Sequence, residues 1–428
     1  MASSSRRAVI TGLGVLNPVA AGQQAFWEGL LAGKSGVRPI KVFDPSALPT
    51  RFAGEIPDFD PKKYIPKEDR RSLKMMARTI QLAVCAAQLA LDDSKIEKPR
   101  LDPARFGVEF GAGLIATELD ELAAAAKLSA NCQPGHVDLE KWGEQGIPNI
   151  QPLWMLKYLP NMLACHVSIL HNAQGPSNTI TEGDVASLLA IGEAYRILLR
   201  DAADFFLVGG ADSRMNPLSL VRNCLFQPLS RRNDAPEKAC RPFDRDRDGL
   251  VLGEGAAVIA LEELEHAKKR GARIYAEVVG FASAFDYRRT GAGLARAIRI
   301  ALADAGIGPE DLDHINAQGL ATSESDKWEA GALQHVFGNI TPAIPVFAAK
   351  SYMGNLGAGS GTTETAVSVL ALAHGVVPAT LNYETPDSAC PVTVIAGRPQ
   401  PVRRPYFLKI GFTDQGQCAA LVCRQWKS

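Results

Sequence analysis

Three short segments of this 428-residue chain have the spacing of catalytic loops, yet each looks like a loop from which the ionisable group has been removed. The first reads GPSNTITEGDVAS at 175–187 and places Asp184 where a strand would turn into a helix, a position that suits a nucleophile. The other two read INAQGLAT at 315–322 and KSYMGNLGAGSG at 350–361. A catalytic framework without its reactive groups would restrict what this protein can do.

The overall composition excludes several classes of function. The chain has 46 Lys and Arg residues and 46 Asp and Glu residues, so its net charge of zero gives no general attraction to nucleic acid or membranes. Residues 1–7, MASSSRR, do not form a signal peptide, and no apolar run reaches the roughly 18 residues of a membrane helix. We therefore expect a cytoplasmic protein that binds neither nucleic acid nor a membrane.

The cysteines also indicate a reducing compartment. They form no CxxC pair, and most lie in apolar surroundings, which is typical of small buried side chains with reduced thiols. We expect no metal site, and no motif indicates a cofactor. The cysteines are Cys85, Cys132, Cys165, Cys224, Cys240, Cys390, Cys418 and Cys423.

Strand-like and helix-like segments alternate along the whole chain, which predicts an α/β fold with buried strands. Apolar residues at three- and four-residue steps predict one helix over 69–91 and another over 363–375. Each half of the chain repeats an apolar strand, a glycine-rich turn and a long helix, so we expect two similar halves, 1–257 and 258–428. The predicted strands are 6–15, 106–113, 204–212, 276–283, 314–319 and 345–351, with a strand running into a helix over 258–271.

The segment GLGVLN at 12–17 nearly matches the GxGxxG loop of dinucleotide-binding proteins. Its third glycine is replaced by Asn17, Pro18 follows, and no acidic residue lies between 29 and 43 to bind a ribose. We therefore do not expect a nucleotide site here.

Four segments carry a family resemblance: RAVITGLGVLNPV at 7–19, FLVGGAD at 206–212, RPFDRDRDGLVLGEGAA at 241–257 and AKSYMGNLGAGSG at 349–361. Together they resemble the β-ketoacyl-acyl-carrier-protein synthases of the 3-oxoacyl-acyl-carrier-protein synthase II type, the elongating condensing enzymes of fatty acid and polyketide assembly. The resemblance covers nearly the whole chain. It implies a thiolase fold with two duplicated α/β halves in five layers (αβαβα), a dimer, and a reaction that needs no cofactor.

In that family a cysteine takes the acyl chain as a thioester, and two histidines help to decarboxylate the extender and to stabilise the enolate. The resemblance aligns Asp184 with the cysteine, Gln318 with the first histidine and Asn355 with the second. The family's C-terminal GFGGTN loop is also altered, to GFTDQG at 411–416. The chain therefore looks like a degenerate member that lacks the Cys-His-His triad.

These replacements predict a loss of condensing activity. An aspartate nucleophile would form a mixed anhydride, which is far more labile to water than a thioester. Asp184 could also cap the following helix or simply support the fold, and we favour this structural interpretation over substrate contact or catalysis. Gln318 and Asn355 can donate hydrogen bonds, but neither can carry a proton or supply positive charge to an enolate. Four other residues could in principle replace the catalytic cysteine and histidines, but none lies at a suitable place in the sequence. They are His314, Cys165, His166 and Cys418.

Other positions match the family. Thr322, Lys350 and Glu329 correspond to framework positions of its active-site loops, and Phe412 corresponds to its gating phenylalanine. Support of the fold is the simplest explanation for these four residues.

A basic set also matches the family surface that binds the acidic carrier protein at the channel mouth. A solvated basic surface would explain these residues equally well. Cations in the first turn of the predicted 69–91 helix oppose its dipole, so helix stability does not explain them. The set comprises Lys67, Arg70, Arg71, Arg231 and Arg232.

These features favour a non-condensing partner subunit, similar to the chain-length factors of type II polyketide systems, which lack the cysteine and pair with an active synthase. The expected partners are an acyl carrier protein and a second thiolase-fold chain, in a homodimer or in a heterodimer with an active ketosynthase. Two alternatives stay open: an acyltransferase-family enzyme with altered acyl-carrier chemistry at Asp184, and an ordinary 3-oxoacyl-acyl-carrier-protein synthase. Whether the chain is an enzyme therefore depends on what surrounds Asp184.

Overall fold

A computed structural model describes residues 6–130, 135–338 and 343–427, so Cys132 lies outside the described residues. The strands are β1 (Ala8–Leu16), β2 (Val37–Pro39), β3 (Phe52–Gly54), β4 (Phe106–Ala112), β5 (Ser177–Ile180), β6 (Phe205–Ser213), β7 (Glu254–Glu263), β8 (Ala276–Phe285), β9 (Leu312–Asn316), β10 (Val346–Phe347), β11 (Val376–Val377), β12 (Gln400–Pro401), β13 (Tyr406–Phe412) and β14 (Gln417–Gln425). The helices are α1 (Gln23–Leu31), α2 (Arg78–Ser94), α3 (Leu119–Ser129), α4 (Leu139–Lys141), α5 (Met162–His171), α6 (Ala186–Leu199), α7 (Pro217–Phe226), α8 (Leu264–Lys269), α9 (Ala292–Ala305), α10 (Ser323–Phe337), α11 (Lys350–Met353) and α12 (Ser360–His374). In these described ranges, no helix has the length and apolar character needed to cross a membrane.

The main sheet consists of two five-stranded halves with the same topology. Its strand order is β10-β9-β13-β14-β8-β1-β7-β6-β4-β5. In the first half, β4 is parallel to β5 and β6, and β7 is antiparallel to β6 and β1. In the second half, β9 is parallel to β10 and β13, and β14 is antiparallel to β13 and β8. Both halves connect their five strands in the same order along the chain, which is the duplication that the sequence predicts.

Helices cover both faces of each half of the sheet. Helix α2 packs on β1, β6 and β7 with α5 beside it, and α9 packs on β8, β13 and β14 with α10 beside it. Between the two halves lie α6 and α12, which contact each other and strands of both halves. Nearly every residue of α12 is buried, as expected for a central helix. The layers alternate as helix, sheet, helix, sheet, helix, so the αβαβα prediction is confirmed.

The predicted boundary at 257/258 falls inside β7. That strand pairs with β1 and β6 as far as Glu263, so all of it belongs to the first half. We propose that the two halves join between Glu263 and Ala276, across α8. The pattern at 258–271 reads as one strand-to-helix unit, which is why the sequence places the boundary too early.

The prediction of a single helix over 69–91 is wrong. Residues Lys67–Met75 form a 3-10 helix, the next two residues are extended or nearly so, and α2 begins only at Arg78. Arg78 binds Glu254 at the start of β7 through Nε and Nη2, both at 2.6 Å, and this contact fixes the start of α2. Apolar spacing continues across the break, so periodicity alone does not reveal it.

The strand predicted at 345–351 is too long. Strand β10 covers only Val346–Phe347, and the chain turns into α11 at Lys350, which is 1% exposed. The turn places the lysine in the core, where an acidic partner holds it, as described below. The other predicted strands and the helix that ends at Gly375 are confirmed within a few residues.

The glycines of the GLGVLN segment serve helix packing. Both lie inside β1. A Cβ atom on Gly14 would lie 1.9 Å from the carbonyl oxygen of Ala86, and one on Gly12 would lie 2.4 Å from that of Ala90. The close contact between β1 and α2 therefore explains these glycines without a bound nucleotide.

Candidate functional site

Asp184 lies in the turn between β5 and α6. Strand β5 ends at Ile180, Gly183–Val185 forms a 3-10 turn, and α6 begins at Ala186. Gly183 has a φ of 52°, a left-handed conformation that glycine adopts without strain. The predicted strand-to-helix turn is confirmed, and the side chain of Asp184 is only 17% exposed.

The carboxylate of Asp184 is bound at both oxygens. Nη2 of Arg214 donates to Oδ1 at 3.0 Å, and Nδ2 of Asn355 donates to Oδ2 at 2.7 Å. The start of α6 has no side-chain cap hydrogen bond. Asp184 therefore does not cap α6 through backbone N–H groups. A guanidinium and an amide bind its carboxylate instead, which agrees with the other part of that expectation, support of the fold.

Arg214 is the cation of this site and stands between two carboxylates. Its Nε lies 3.7 Å from Oδ2 of Asp212, in addition to the bond to Asp184. Burial opposes the charged form of Arg214, but the two carboxylates outweigh it and raise the pKa of the guanidinium. Burial also raises the pKa of Asp212, against the effect of Arg214. A Cβ atom on Gly357 would lie 2.0 Å from Asp212, so only glycine allows this close approach.

Asn355 is held in one orientation by its own neighbours. Its Oδ1 accepts bonds from the backbone N–H of Gly357 at 3.1 Å and from Oγ of Ser360 at 3.0 Å. Since Oδ1 is occupied by donors, Nδ2 is the atom that faces Asp184. Asn355 is 1% exposed, so its amide is a fixed part of the site.

Gln318 follows β9 in a buried loop that Glu329 holds in place. The two oxygens of Glu329 accept the backbone N–H groups of Gln318 and Gly319 at 2.6 and 2.8 Å. Burial raises the pKa of Glu329, while these N–H bonds act in the opposite direction. Nε2 of Gln318 donates to the carbonyl oxygen of Phe412 at 3.3 Å, so this side chain is also bound within the protein.

The three altered positions lie together, as the resemblance implies. Asn355 bonds directly to Asp184. Gly411 lies between Gln318 and Val185, the residue after Asp184. A Cβ atom on Gly411 would lie 3.1 Å from Val185 and 3.4 Å from Oε1 of Gln318. The three side chains therefore belong to one largely buried cluster near the N-terminal end of α6.

A buried cluster of charged residues lies next to the loop that carries Gln318. Nζ of Lys350 lies 2.5 Å from Oε1 of Glu364, and Nζ of Lys409 lies 2.6 Å from Oε2. Lys409 also donates to the carbonyl oxygen of Ala317 at 3.0 Å, immediately before Gln318. Burial lowers the pKa of Lys409, with Glu364 acting in the opposite direction. Lys350 thus has the supporting place expected of a framework residue.

Thr322 caps α10 and connects the loop of Gln318 to the 241–257 segment. Its Oγ1 accepts a bond from the backbone N–H of Ser325 at 3.2 Å. Its carbonyl oxygen accepts a bond from Nε of Arg247 at 3.1 Å, and Arg247 also binds Asp387 at 2.8 Å. The motif at 241–257 therefore holds the loop of Gln318 rather than contributing a reacting group.

Phe412 packs against Trp328 and contacts Gln318 through its backbone. Its ring lies 4.3 Å from the ring of Trp328, measured between centroids, and the residue is 3% exposed. Its carbonyl oxygen is the acceptor for Gln318. A gating role for Phe412 stays a prediction.

The five basic residues assigned to carrier docking fall into two groups. Arg70 donates to the carbonyl oxygens of Ile65 and Lys62 at 3.1 and 2.6 Å, and Arg232 donates to that of Asp246 at 2.7 Å. These two guanidinium groups stabilise their own loops, so a local structural role explains Arg70 and Arg232 without a carrier protein. The residues with exposed side chains are Lys67, Arg71 and Arg231.

Three groups around Asp184 and Gln318 were missed by the sequence analysis: Asp212, Arg214 and Lys409. Asp212 and Arg214 follow the apolar run FFLVGG of β6, and Lys409 lies within the apolar run FLKIGF of β13. Charged residues within or directly after a buried strand are rarely tolerated without partners, and that signal could have identified them.

The residues considered as possible substitutes for a catalytic histidine or cysteine lie on other elements or bind other partners. His314 is fully buried on β9, where its ring nitrogens face Asp313 and Ser368, both at 2.9 Å. Cys165 and His166 are on α5, and Cys418 is buried in β14. In the described part of the chain, no group of three or more His, Cys, Asp or Glu residues is arranged to hold a metal ion.

Comparisons with known proteins agree with this architecture. The family model described as "Beta-ketoacyl synthase, N-terminal domain" matches residues 5–267, and its C-terminal counterpart matches 275–384. The chain is 38% identical over 391 residues, 90% of both chains, to a protein of Coxiella burnetii (strain RSA 493 / Nine Mile phase I) named 3-oxoacyl-[acyl-carrier-protein] synthase 2.

Two solved structures are also similar to the chain. The ishigamide ketosynthase/chain length factor has a TM-score of 0.85 and 29% identity, with 99% of this chain and 100% of that one covered. A type II PKS acyl-carrier protein in complex with its ketosynthase bound to the hexaketide (AntDE:AntF) has a TM-score of 0.83 and 27% identity, with the same coverage.

The contribution of the Arg214 ion pairs can be measured by removing the cation. Changing Arg214→Gln should lower the free energy of unfolding by about 1–3 kcal/mol, because Asp184 and Asp212 would face each other without a positive charge. Chemical denaturation of both proteins at one concentration gives this difference. The matched control is Arg200→Gln, directly after α6. The exposed side chain of Arg200 lies 3.9 Å from Glu193, and its loss should lower the free energy of unfolding by less than about 0.5 kcal/mol. Equal effects of the two changes would contradict a structural role for Arg214.

Proposed function

The chain belongs to the β-ketoacyl synthase family, and on that premise we propose that it is a non-condensing member that acts as a chain-length-factor-like partner subunit or scaffold for carrier-linked acyl chains. One observation carries the proposal. The carboxylate at the position aligned with the family's cysteine is bound at 3.0 Å by Arg214 and at 2.7 Å by Asn355. An anion stabilised in this way is a poor nucleophile and has no acyl-transfer chemistry as favourable as that of a thiolate.

The neighbouring side chains support the same proposal. Gln318 and Asn355 are neutral amides whose donor groups already bind Phe412 and Asp184. Neither amide can take up or release a proton, and neither supplies positive charge for a developing enolate. The alternative of acyl transfer at Asp184 finds no supporting group, since both carboxylate oxygens are engaged.

A pairing surface on the first half of the sheet supports a partner subunit. Strand β5 is the last strand of its sheet, and within the described residues it is paired only on the side of β4. An open strand edge is a template for pairing with another chain. The chain segment that connects β4 to β5 also exposes large apolar side chains, by 42–79% of their surface. They are Leu114, Leu119, Leu128, Val137, Leu139, Ile147, Leu153, Met155 and Ile169.

Unsatisfied polar atoms lie in the same region. Among the described residues, buried atoms without a hydrogen-bond partner include Oε2 of Glu109 on β4, Oγ1 of Thr179 on β5, and Nε2 of His166 and Oγ of Ser168 on α5. Burial raises the pKa of Glu109 to about 8, with a further contribution from Glu193. Buried polar groups normally have partners, so we propose that a second thiolase-fold chain completes this face.

The condensation assay tests the central proposal. With acyl-carrier and malonyl-carrier substrates, we expect the purified chain to form no β-ketoacyl product, and the change Asp184→Cys alone should not restore it. The restored thiol would still lack both proton-transferring histidines, and losing a single oxyanion donor already lowers rates by about 10²–10³-fold. An intact ketosynthase of the same family is the positive control. Product formed by the unaltered chain at a rate near that of the control would overturn the proposal.

Replacing exposed apolar residues with aspartate tests the proposed pairing surface. We expect co-expression with an intact ketosynthase to give a stable heterodimer, detected by sedimentation and mass spectrometry. The double change Met155→Asp and Ile169→Asp should abolish it, because buried charges without partners oppose association. Ile300→Asp on α9, a residue exposed by 47%, is the matched control and should leave pairing intact. A chain that forms only homodimers and never exchanges with a synthase would count against the partner-subunit role.

We propose that Lys67, Arg71 and Arg231 dock the acyl carrier protein, and reversal of their charges tests this. The double change Lys67→Glu and Arg71→Glu should weaken binding of the acidic holo-carrier at least about tenfold at low ionic strength, and less at high salt. Lys269→Glu on α8, at the opposite end of the sheet, is the matched control. Titration calorimetry measures both, and equal affinities of the two variants would exclude this docking surface.

A further inference from the structure

Glu109 on β4 is a buried carboxyl group one strand away from the open edge of the sheet. The residue is 1% exposed, and within the described residues its Oε2 atom accepts no hydrogen bond. A Cβ atom on Gly111, two residues further along β4, would lie 2.2 Å from the backbone nitrogen of Ser187. Because alternate residues of a strand point to the same face, the side chain of Glu109 also points towards α6.

The neighbours of Glu109 do not neutralise its charge. Asn178 of β5, which lies opposite Glu109 in the sheet, is neutral. Burial and the negative charge of Glu193 on α6 raise the pKa of Glu109 to about 8. Arg196 on the same helix already binds Asp304, at 2.8 Å. A carboxyl group in this place must therefore stay protonated or be buried as an unpaired charge.

The open side of this part of the sheet lies across β5. Strand β6 and helices α5 and α6 pack against β4 on its other sides. Strand β5 has four residues, and Ser177 and Asn178 are exposed. The side chain of Glu193 is also 45% exposed. A long side chain that arrives over β5 can therefore contact Glu193 at the surface and reach towards Glu109.

We propose that the chain that pairs with β5 places a lysine or an arginine against Glu109 and Glu193. The inference rests on the proposed function, in which a second thiolase-fold chain covers the open edge, and it names the chemistry by which that partner is recognised. A buried carboxylate that gains a cation recovers part of the free energy that its burial costs. Complementary charge also favours one partner over others.

A second copy of this chain does not offer such a cation at the edge. An isologous pair through β5 would bring together the two edge strands and the helices α5 and α6 that pack on them. Neither β5 nor α5 contains a lysine or an arginine. Arg196 of α6 and Arg200 directly after it lie beside Asp304 and Glu193 of their own chain. Charge complementarity therefore favours a partner of different sequence.

The pH dependence of pairing tests the proposal on the unaltered chain. A cation from the partner would lower the pKa of Glu109, so this group would release a proton when the two chains associate. Pairing with an intact ketosynthase should therefore become at least about fivefold tighter from pH 6 to pH 8 and level off at higher pH. Sedimentation gives the dissociation constant, and calorimetry in two buffers of different ionisation enthalpy counts the protons released.

The other titratable groups near β4 do not produce this change. Burial lowers the pKa of His166 and of His171 on α5, that of His171 to about 3, so both rings stay neutral on association. Asp184 and Asp212 lie beyond the C-terminal end of β4, where Arg214 faces both. Any contribution from these groups or from the partner is the same in a variant that lacks only the carboxyl group of Glu109.

Two substitutions assign the effect to these carboxyl groups. Glu109→Gln keeps the size of the side chain and should remove the pH dependence. Glu193→Gln should weaken pairing at pH 8 by at least about threefold. The matched control, Glu265→Gln, removes an exposed carboxylate from α8 and should change neither. Without a basic partner residue, loss of either carboxyl group would leave pairing unchanged or strengthen it, and that result would overturn the inference.

The outcomes separate this inference from the proposed function. If no heterodimer forms at any pH, the partner-subunit role fails and this inference fails with it. If a heterodimer forms without releasing protons, or pairs more tightly at pH 6 than at pH 8, only the contact with a basic side chain is wrong. The pH comparison needs no substituted protein, so it decides the matter even if Glu109→Gln does not fold.

Discussion

The ion pair between Asp184 and Arg214 is the interaction on which the character of this protein depends. A carboxylate at the start of a central helix needs a partner, and here a guanidinium from the end of β6 and an amide from the loop before α12 bind its two oxygens. These contacts tie three separate segments to one point. In the proposed function they stand at the position aligned with the family's cysteine, so the groups that bind this carboxylate would be the same groups that prevent it from reacting.

Buried ion pairs and hydrogen bonds order the residues around this ion pair. Glu329 still fixes two backbone N–H groups of the loop that carries Gln318, and Glu364 still binds buried lysines on both of its oxygens. Breaking such buried contacts typically costs several kcal/mol, so they preserve the arrangement of these residues whether or not Asp184 reacts. An ordered framework, together with the edge of β5 that is unpaired among the described residues, is what the proposed partner-subunit role requires.

Much of the fold could be predicted from the sequence, because strands and helices alternate and both halves repeat one pattern. The break before Arg78 could not, since a 3-10 helix and an α-helix keep similar apolar spacing over a few residues. The three altered positions were found through motifs that are local in the sequence. Arg214 and Lys409 were not, because their partners lie 30 and 45 residues away in the chain, and only folding reveals which carboxylate each one meets. The helix-cap interpretation of Asp184 failed because its partners, Arg214 and Asn355, are also distant in the sequence.

The central claim is that Asp184 takes up no acyl group. The mass of the intact chain after incubation with an acylated carrier protein tests this most directly. A family member that reacts gains the mass of the acyl group on its nucleophile. We predict that this chain gains none, even after rapid quenching that would preserve a short-lived anhydride, because Asp184 stays bound to Arg214 and Asn355. An acyl adduct mapped by peptide mass spectrometry to the peptide containing Asp184 would contradict the account.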